Sequence, residues 1–233
     1  MTARKTFLLA AFIPLIALSS LWAGDTASFV DLGFSPDGKI YMFAQYGVQS
    51  GTLRPWADLF VVDVPRNNFV GGGRISYTHD RPVLAGQDGS GALYRIIARS
   101  AATADQYGVT FLRQGQPLYI ALDNDPPVPG GTIEFRDFGT GNFYRAELVP
   151  YVEGAGENLK SSFYINLENT TRNGTKKTYT IGTPQLKRAQ ISSYRIKKVM
   201  IAPLDGSIIF VIEMKKNAAA GYDIRYMIEA ARL

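Results

Sequence analysis

The sequence contains no cysteine and a single histidine, His79, among its 233 residues. The lack of cysteine excludes disulfides, thiolate nucleophiles and cysteine-ligated zinc, and one imidazole is too few for a site built from several histidines. The chain must therefore be stable through its hydrophobic core alone, for which a hydrophobic content of 46% with 13 Tyr and 13 Phe is sufficient. We predict no cofactor and no metal site.

The chain also has little that could anchor it in a bilayer. Its N-terminal apolar stretch, residues 6–18, is about 13 residues long, where a spanning helix needs about 20. Two positive charges precede this stretch and Ala23 follows it, which is the layout of a secretory signal peptide. We predict a signal peptide over residues 1–23 and a single exported β-rich domain over residues 24–233, with a retained membrane anchor as the alternative. Export without disulfides is typical of bacteria, so we expect a periplasmic or extracellular protein.

Acidic residues are missing from one long segment, residues 169–204. This pattern predicts a basic surface suited to an anionic envelope component. The alternative is that the cations pair with carboxylates of the preceding segment or only keep a strand edge soluble. Its basic residues are Arg172, Lys176, Lys177, Lys187, Arg188, Arg195, Lys197 and Lys198. Nucleic acid is not expected as a partner, because the chain has an export signal and no recognised nucleic-acid-binding motif.

One short phrase occurs near both ends of the chain. Ser35-Pro36-Asp37-Gly38 precedes an apolar run at residues 40–44, and a second Pro-Leu-Asp-Gly phrase at residues 203–206 precedes another run at residues 208–212. Asp-Gly suits a tight turn because glycine accepts positive φ, and the runs have the composition of buried strands. We predict two hairpins of the same type, which brings the termini together. The first phrase resembles the turn of TolB-like and WD-type propeller blades.

The rest of the pattern is mostly strand. Apolar residues at helical spacing predict one helix over residues 90–107, which Gly108 can end. Further strands are predicted at residues 110–122, 132–138, 142–152, 161–168, 175–181 and 194–202. The predicted fold class is mainly β: one domain of about ten antiparallel strands with one helix, either propeller-like or a sandwich.

Two segments are candidate binding sites. A glycine-rich stretch leads into the predicted helix, where free backbone N–H groups favour an anion and a basic side chain lies one turn further on. The alternative for this stretch is a flexible connection with a helix cap. The second segment has the polar and aromatic residues that suit a sugar or a peptide, or else it is a packed loop. The candidate residues are Gly89, Ser90, Gly91 and Arg95 in the first segment, and Gln45, Tyr46, Gln49, Arg54 and Trp56 in the second.

Residues 34–38, 45–51, 57–63 and 91–93, in this order, resemble a bacterial family of predicted secreted proteins with a domain of unknown function. The resemblance covers much of the exported part. It implies export, and it implies no activity, ligand or catalytic residue. We favour a non-enzymatic envelope protein that binds another protein, a saccharide or an anionic surface. The alternative is a carboxylate-dependent hydrolase of glycan or cell-wall material, which needs only two acids at a suitable separation.

Overall fold

The computed structural model describes residues 24–122, 131–218 and 221–233. The predicted signal peptide, residues 1–23, lies outside these residues, so its cleavage stays a prediction. The described residues form 13 strands in three antiparallel sheets together with two α-helices. This arrangement confirms the predicted mainly β fold.

Sheet 1 is a meander in which each strand pairs with the next along the chain. Its strands are β1 (Ser28–Phe34), β2 (Ile40–Val48), β3 (Pro55–Asp63) and β4 (Asn68–Thr78). Side chains of β2 and β3 alternate between the two faces of the sheet, and both faces are buried. A strand buried on both sides explains the nearly continuous apolar run of residues 59–62.

The helical segment covers one face of sheet 1. It consists of α1 (Ser90–Arg99) and α2 (Ala101–Tyr107), where the sequence predicts one helix. The buried Ser100 hydroxyl donates to the Ile96 carbonyl oxygen at 2.8 Å, a bond that competes with the regular helical pattern at the break. Gly108 ends α2 in the left-handed conformation, as predicted.

Sheets 2 and 3 contain the remaining strands. Sheet 2 has the order β10-β8-β7-β6, with β9 also paired to β8, and sheet 3 has the order β13-β12-β11-β5. The strands of sheet 2 are β6 (Thr132–Arg136), β7 (Phe143–Glu153), β8 (Lys160–Thr170), β9 (Lys176–Ile181) and β10 (Arg188–Ala189), with a short 3-10 turn at Gly156–Asn158. Those of sheet 3 are β5 (Gln116–Ile120), β11 (Ile191–Ile201), β12 (Ile208–Ala218) and β13 (Gly221–Ala231).

Sheet 3 is the central layer of the molecule. Along β12, Ile209 and Val211 pack with sheet 1, whereas Ile208, Phe210 and Ile212 pack with sheet 2. The layers therefore follow the order helices, sheet 1, sheet 3 and sheet 2. Face-to-face packing of this kind is that of a sandwich with one additional sheet. The propeller resemblance is not confirmed.

The repeated phrase forms two related turns, as predicted. The first turn, residues 35–39, joins β1 to β2, and the second turn, residues 202–207, joins β11 to β12. Each hairpin pairs with its own further strand, β3 or β13. The two hairpins lie in neighbouring sheets and do not share one. A parallel bridge between Thr26 and Ile224 and the bond from the Ala27 N–H to the Ile224 carbonyl bring the chain ends together.

One predicted strand is much shorter than expected. The strand predicted over residues 110–122 is confined to β5, because the residues before it form a tight turn in which the Arg113 N–H donates to the Thr110 carbonyl. The Arg113 guanidinium holds this turn by donating to the carbonyl oxygens of Phe34 and Gly108 at 2.9 and 3.1 Å. Phe111 and Leu112 are consequently exposed at the tip of a turn.

Candidate functional site

A groove of about 730 Å³ opens where sheet 1 meets sheet 3 and residues 183–191. We call it the basic groove, because five basic side chains line it against the two carboxylates of Asp58 and Glu229. The basic residues are Arg66, Arg74, Arg188, Lys216 and Arg225. Its walls are mostly side chains on strands of the three sheets, and rigid walls of this kind suit a preformed binding site.

The carboxylate of Asp58 is held by hydrogen bonds on β3. It accepts from the Ser76 hydroxyl at 2.6 Å and from the Gln45 side-chain amide at 3.4 Å. The Gln45 amide oxygen accepts from the Tyr226 N–H at 2.7 Å, which joins sheet 1 to sheet 3. Gln45 is buried, and its side chain is hydrogen-bonded on both sheets, as is usual for a buried polar group. Gln45 therefore lines the groove, as predicted for a site residue, and also links sheet 1 to sheet 3.

Glu229 is the second carboxylate of the groove and is almost fully buried on β13. It accepts from the Asn67 side-chain amide at 2.5 Å and lies 3.6 Å from the guanidinium of Arg188. Burial raises the pKa of Glu229, while the Asn67 hydrogen bond and the Arg188 charge oppose that rise. Asn67 also accepts from the Ala230 N–H at 2.8 Å, so the β3–β4 turn is attached to β13.

Positive charge and aromatic surface also line the groove on sheet 1. Phe60 and Phe69 stack with ring centroids 5.6 Å apart, and Phe69 is 48% exposed. The guanidinium of Arg74 lies 5.9 Å from the centre of the Phe60 ring. Within the described part of the chain, neither Arg74 nor Lys216 forms an ion pair. The groove therefore presents cations whose charge is not neutralised by the protein.

A charged cluster joins the two chain ends beside the groove. The Arg225 guanidinium donates to the Asp25 carboxylate at 2.8 Å and lies 4.2 Å from the centre of the Trp56 ring. Burial raises the pKa of Asp25, and the Arg225 charge opposes the rise. Trp56, one of the predicted site residues, is thus buried beneath an arginine and is not an open sugar-binding platform.

The predicted residues around the β2–β3 turn do not form one surface. Gln45 faces sheet 3, while its neighbour Tyr46 packs on the helical side, because successive strand residues point to opposite faces. The side-chain oxygen of Gln49 accepts from the Thr52 hydroxyl at 2.6 Å within the turn, and Arg54 is exposed. Of these residues only Gln45 lines the basic groove.

The predicted anion site at the start of α1 already has a carboxylate next to it. The side chain of Asp88 accepts from the N–H and the hydroxyl of Ser90 at 2.9 and 2.5 Å. Gly89 packs so closely on the β2 backbone that a Cβ would lie 2.4 Å from the Gly47 carbonyl oxygen. Gly91 is open, and Arg95 lies 5.4 Å from the centre of the Tyr77 ring. The start of α1 therefore lies against β2, close to the other predicted site. The Arg95 side chain, however, lies over Tyr77 of β4.

The basic segment is partly neutralised within the protein. Its ion pairs are Lys176–Glu168, Lys187–Glu153, Arg188–Glu229 and Lys198–Asp31, with separations between 2.8 and 3.6 Å. Two of these pairs, with Glu168 and Glu153, join the basic segment to the preceding acidic segment, as the alternative predicts. The other two reach Glu229 and Asp31, which lie elsewhere in the chain. Arg188 nevertheless brings part of the segment to the basic groove, and its guanidinium lies 5.2 Å from the centre of the Phe163 ring.

Sequence reasoning missed the groove residues that are far apart in the chain. Asn67 and Glu229 are 162 positions apart, and no local motif marks their pairing. Two signals were available in retrospect. Asn67 adopts φ +49°, a conformation for which asparagine is enriched, and Glu229 is the one charged residue among residues 226–231 of β13. An acid at such a position indicates a buried partner.

The fold and groove define a disulfide-free, β-rich protein of layered sheets with an open basic groove. Residues 42–232 match the family described as "Predicted secreted protein (DUF2259)", and the chain belongs to that family. This confirms the resemblance seen in the sequence. No curated protein and no solved structure matches the chain. In the part of the chain that the structure describes, no helix combines the length and apolar character needed to cross a bilayer.

Proposed function

We propose that this protein is an exported, non-catalytic binding module of the bacterial envelope, located in the periplasm or outside the cell, and that its basic groove binds an acidic saccharide. The observation that carries the proposal is the combination of Arg74 and Lys216, which form no ion pair within the described residues, with the exposed ring of Phe69. The carboxylates of the groove are already engaged by protein donors. A bound anion would thus meet a cation on each wall, Arg74 on sheet 1 and Lys216 on sheet 3, beside acids that protein donors already satisfy.

An acidic saccharide fits this chemistry better than a neutral one. Guanidinium and ammonium groups form charge-assisted hydrogen bonds with carboxylates, and an aromatic ring offers an apolar platform to the face of a sugar. An open groove also lets a polymer pass through, because its ends need not be enclosed. The family description supports export, which would bring the protein to envelope glycans.

The test is a calorimetric titration of the exported protein with short oligogalacturonates and with neutral maltooligosaccharides. We expect binding of the acidic ligand only, weakened by added salt because exposed charges are screened. The double variant Arg74→Gln with Lys216→Gln should lose about tenfold in affinity or more, since charge-assisted hydrogen bonds contribute more than neutral ones. Arg54→Gln is the matched control, because Arg54 is exposed and does not line the groove. Equal binding of both saccharides, or a double variant that binds as wild type, would contradict the proposal.

One observation favours the hydrolase alternative. Glu229 has a raised pKa and shares the groove with Asp58, and glycosidases pair an acid of raised pKa with a second carboxylate. In that case the protein should release new reducing ends from acidic glycans. Glu229→Gln should abolish this release while leaving oligogalacturonate binding intact. Binding without release of reducing ends by wild-type protein would reject the hydrolase and retain the binding module.

A further inference from the structure

Four large apolar side chains project from turns at one end of the molecule. Leu112 is 90% exposed, Phe138 and Leu204 are each 88% exposed, and Phe111 is 64% exposed. We call these four residues the apolar tip. Scattered single apolar residues are normal on a protein surface, whereas several at one end indicate an interaction site.

Backbone contacts show that the turns bearing these residues lie together. The Phe34 N–H, at the end of β1, donates to the Arg113 carbonyl, which places the turn containing Phe111 and Leu112 beside the first turn. The first turn packs on the second turn, which contains Leu204. Gln116 pairs with β11 next to the second turn, and its side chain donates to Asp137, the residue before Phe138, at 3.1 Å.

The backbone of two of these turns is fixed by local hydrogen bonds. The buried carboxylate of Asp137 accepts from the Gly139 N–H at 2.8 Å and from the Thr140 hydroxyl at 2.6 Å, which organises the loop around Phe138. Leu204 has φ +60°, and the Asp205 N–H donates to the Pro203 carbonyl in a three-residue turn. A leucine at positive φ is strained, and such strain recurs at functional positions.

Positive charge flanks the apolar tip. Lys39 is exposed in the first turn but lies 3.7 Å from the Asp37 carboxylate. Arg136 is exposed at the end of β6, and Arg172 is exposed beside Gly141 in the neighbouring loop. The nearby acids are engaged within their own turns: Asp37 accepts from Ser35 at 2.7 Å, and the Asp205 carboxylate accepts from Ser207. The same end of the molecule therefore combines apolar side chains with cations, of which Arg136 and Arg172 form no ion pair within the described residues.

From this geometry we infer that the apolar tip inserts into the surface of an anionic phospholipid bilayer. Separate, convex tips can each enter the boundary between headgroups and acyl chains, whereas a flat protein interface would leave water between them. Interfacial anchors of proteins combine Leu and Phe with Lys and Arg in this way, and anionic headgroups attract the flanking cations. This function is separate from that of the basic groove, since none of the four tip residues lines the groove.

Vesicle flotation with the exported protein tests the inference. Wild-type protein should float with vesicles of phosphatidylglycerol and phosphatidylcholine, and less with phosphatidylcholine alone. The triple variant Leu112→Ser, Phe138→Ser and Leu204→Ser should bind at least about tenfold more weakly, because each buried apolar side chain adds to the partitioning. The matched control is Leu84→Ser with Tyr94→Ser, two exposed apolar residues on the segments that follow β4, which should bind as wild type. All variants keep the same N-terminus, so any contribution of residues 1–23 cancels.

A fluorescence measurement reports insertion directly. In Leu112→Trp the emission should shift to shorter wavelength when anionic vesicles are added, whereas Leu84→Trp should show no such shift. Lys39→Gln with Arg172→Gln should reduce the preference for phosphatidylglycerol, and the groove variants Arg74→Gln with Lys216→Gln should leave vesicle binding unchanged. The inference is overturned if wild-type protein does not float, or if the triple variant floats equally well. It is also overturned if the triple variant changes only the oligomeric state, which would make the tip a protein interface.

Discussion

The first turn contains Pro36-Asp37-Gly38 and the second contains Pro203-Leu204-Asp205-Gly206. Both turns connect the strands of a hairpin, yet the atoms that surround them differ. Gly38 of the first turn has φ +73° and lies against the second turn, where a Cβ would be 1.8 Å from the Pro203 carbonyl oxygen. Gly206 of the second turn has φ +74° and has no atom within 4 Å of the corresponding position. The repeated motif thus determines the backbone conformation, whereas the neighbouring atoms determine how much stability is lost when each glycine is replaced.

The largest effect is expected for Gly38→Ala. The new methyl group would be strained by the positive φ and would also collide with backbone that cannot move aside as a side chain could. We expect a loss of about 3 kcal/mol or more in the free energy of unfolding, from the left-handed conformation together with overpacking. Urea denaturation measures this loss. A loss below about 1 kcal/mol would mean that the two turns separate easily.

Gly206→Ala is the matched substitution in the second turn. It introduces the same methyl group at nearly the same φ, but into open space. Only the conformational strain remains, so we expect a loss of about 1 kcal/mol. The difference between the two alanine variants, measured under one set of conditions, isolates the contribution of the contact between the turns. Equal losses would show that the contact contributes nothing.

The contrast between the turns also explains what could be predicted from sequence. The hairpins, the helix end at Gly108 and most strands follow from local patterns of apolar, β-branched and turn residues. The layer order does not, because residues 40–44 of β2 and 208–212 of β12 are apolar throughout and a run of that kind does not reveal which sheet covers which face. The sequence therefore predicted two similar hairpins but not that they would pack face to face.

The candidate sites were predictable to a smaller extent. Gln45 is predicted from a polar loop and does line the basic groove, but Glu229 and Arg188 meet only because sheet 2 packs on sheet 3. Phe111 and Leu112 were assigned to a strand because their types favour strands. Their exposure depends on the bonds of Arg113 to Phe34 and Gly108, which no local pattern encodes.

Leu204→Gly tests the second turn by removing backbone strain, whereas the two alanine variants introduce it. Glycine adopts φ +60° without strain, so the variant should gain about 0.5 kcal/mol in stability after the greater freedom of the unfolded chain is taken into account. The same change removes one side chain of the apolar tip and should weaken binding to anionic vesicles. A more stable protein that floats less well would show that the strain is retained for function. Loss of stability with unchanged flotation would contradict both the strain and the role of the tip.

The smallest effect concerns the charge in the first turn. The Ser35 hydroxyl and the Lys39 N–H hydrogen-bond the Asp37 carboxylate and hold its pKa below the ordinary value of 3.8. A carboxyl whose pKa is lowered by folding stabilises the folded state above its unfolded pKa, and this contribution disappears as the pH falls through the lowered value. The stability difference between wild type and Asp37→Asn should therefore be constant near neutral pH and shrink below about pH 4. Because Asp37 is largely exposed, the difference is small, and urea denaturation at matched ionic strength is needed to resolve it. A difference that grows on acidification would mean that the turn favours the protonated acid, and the hydrogen bonds of Ser35 would then have a different role.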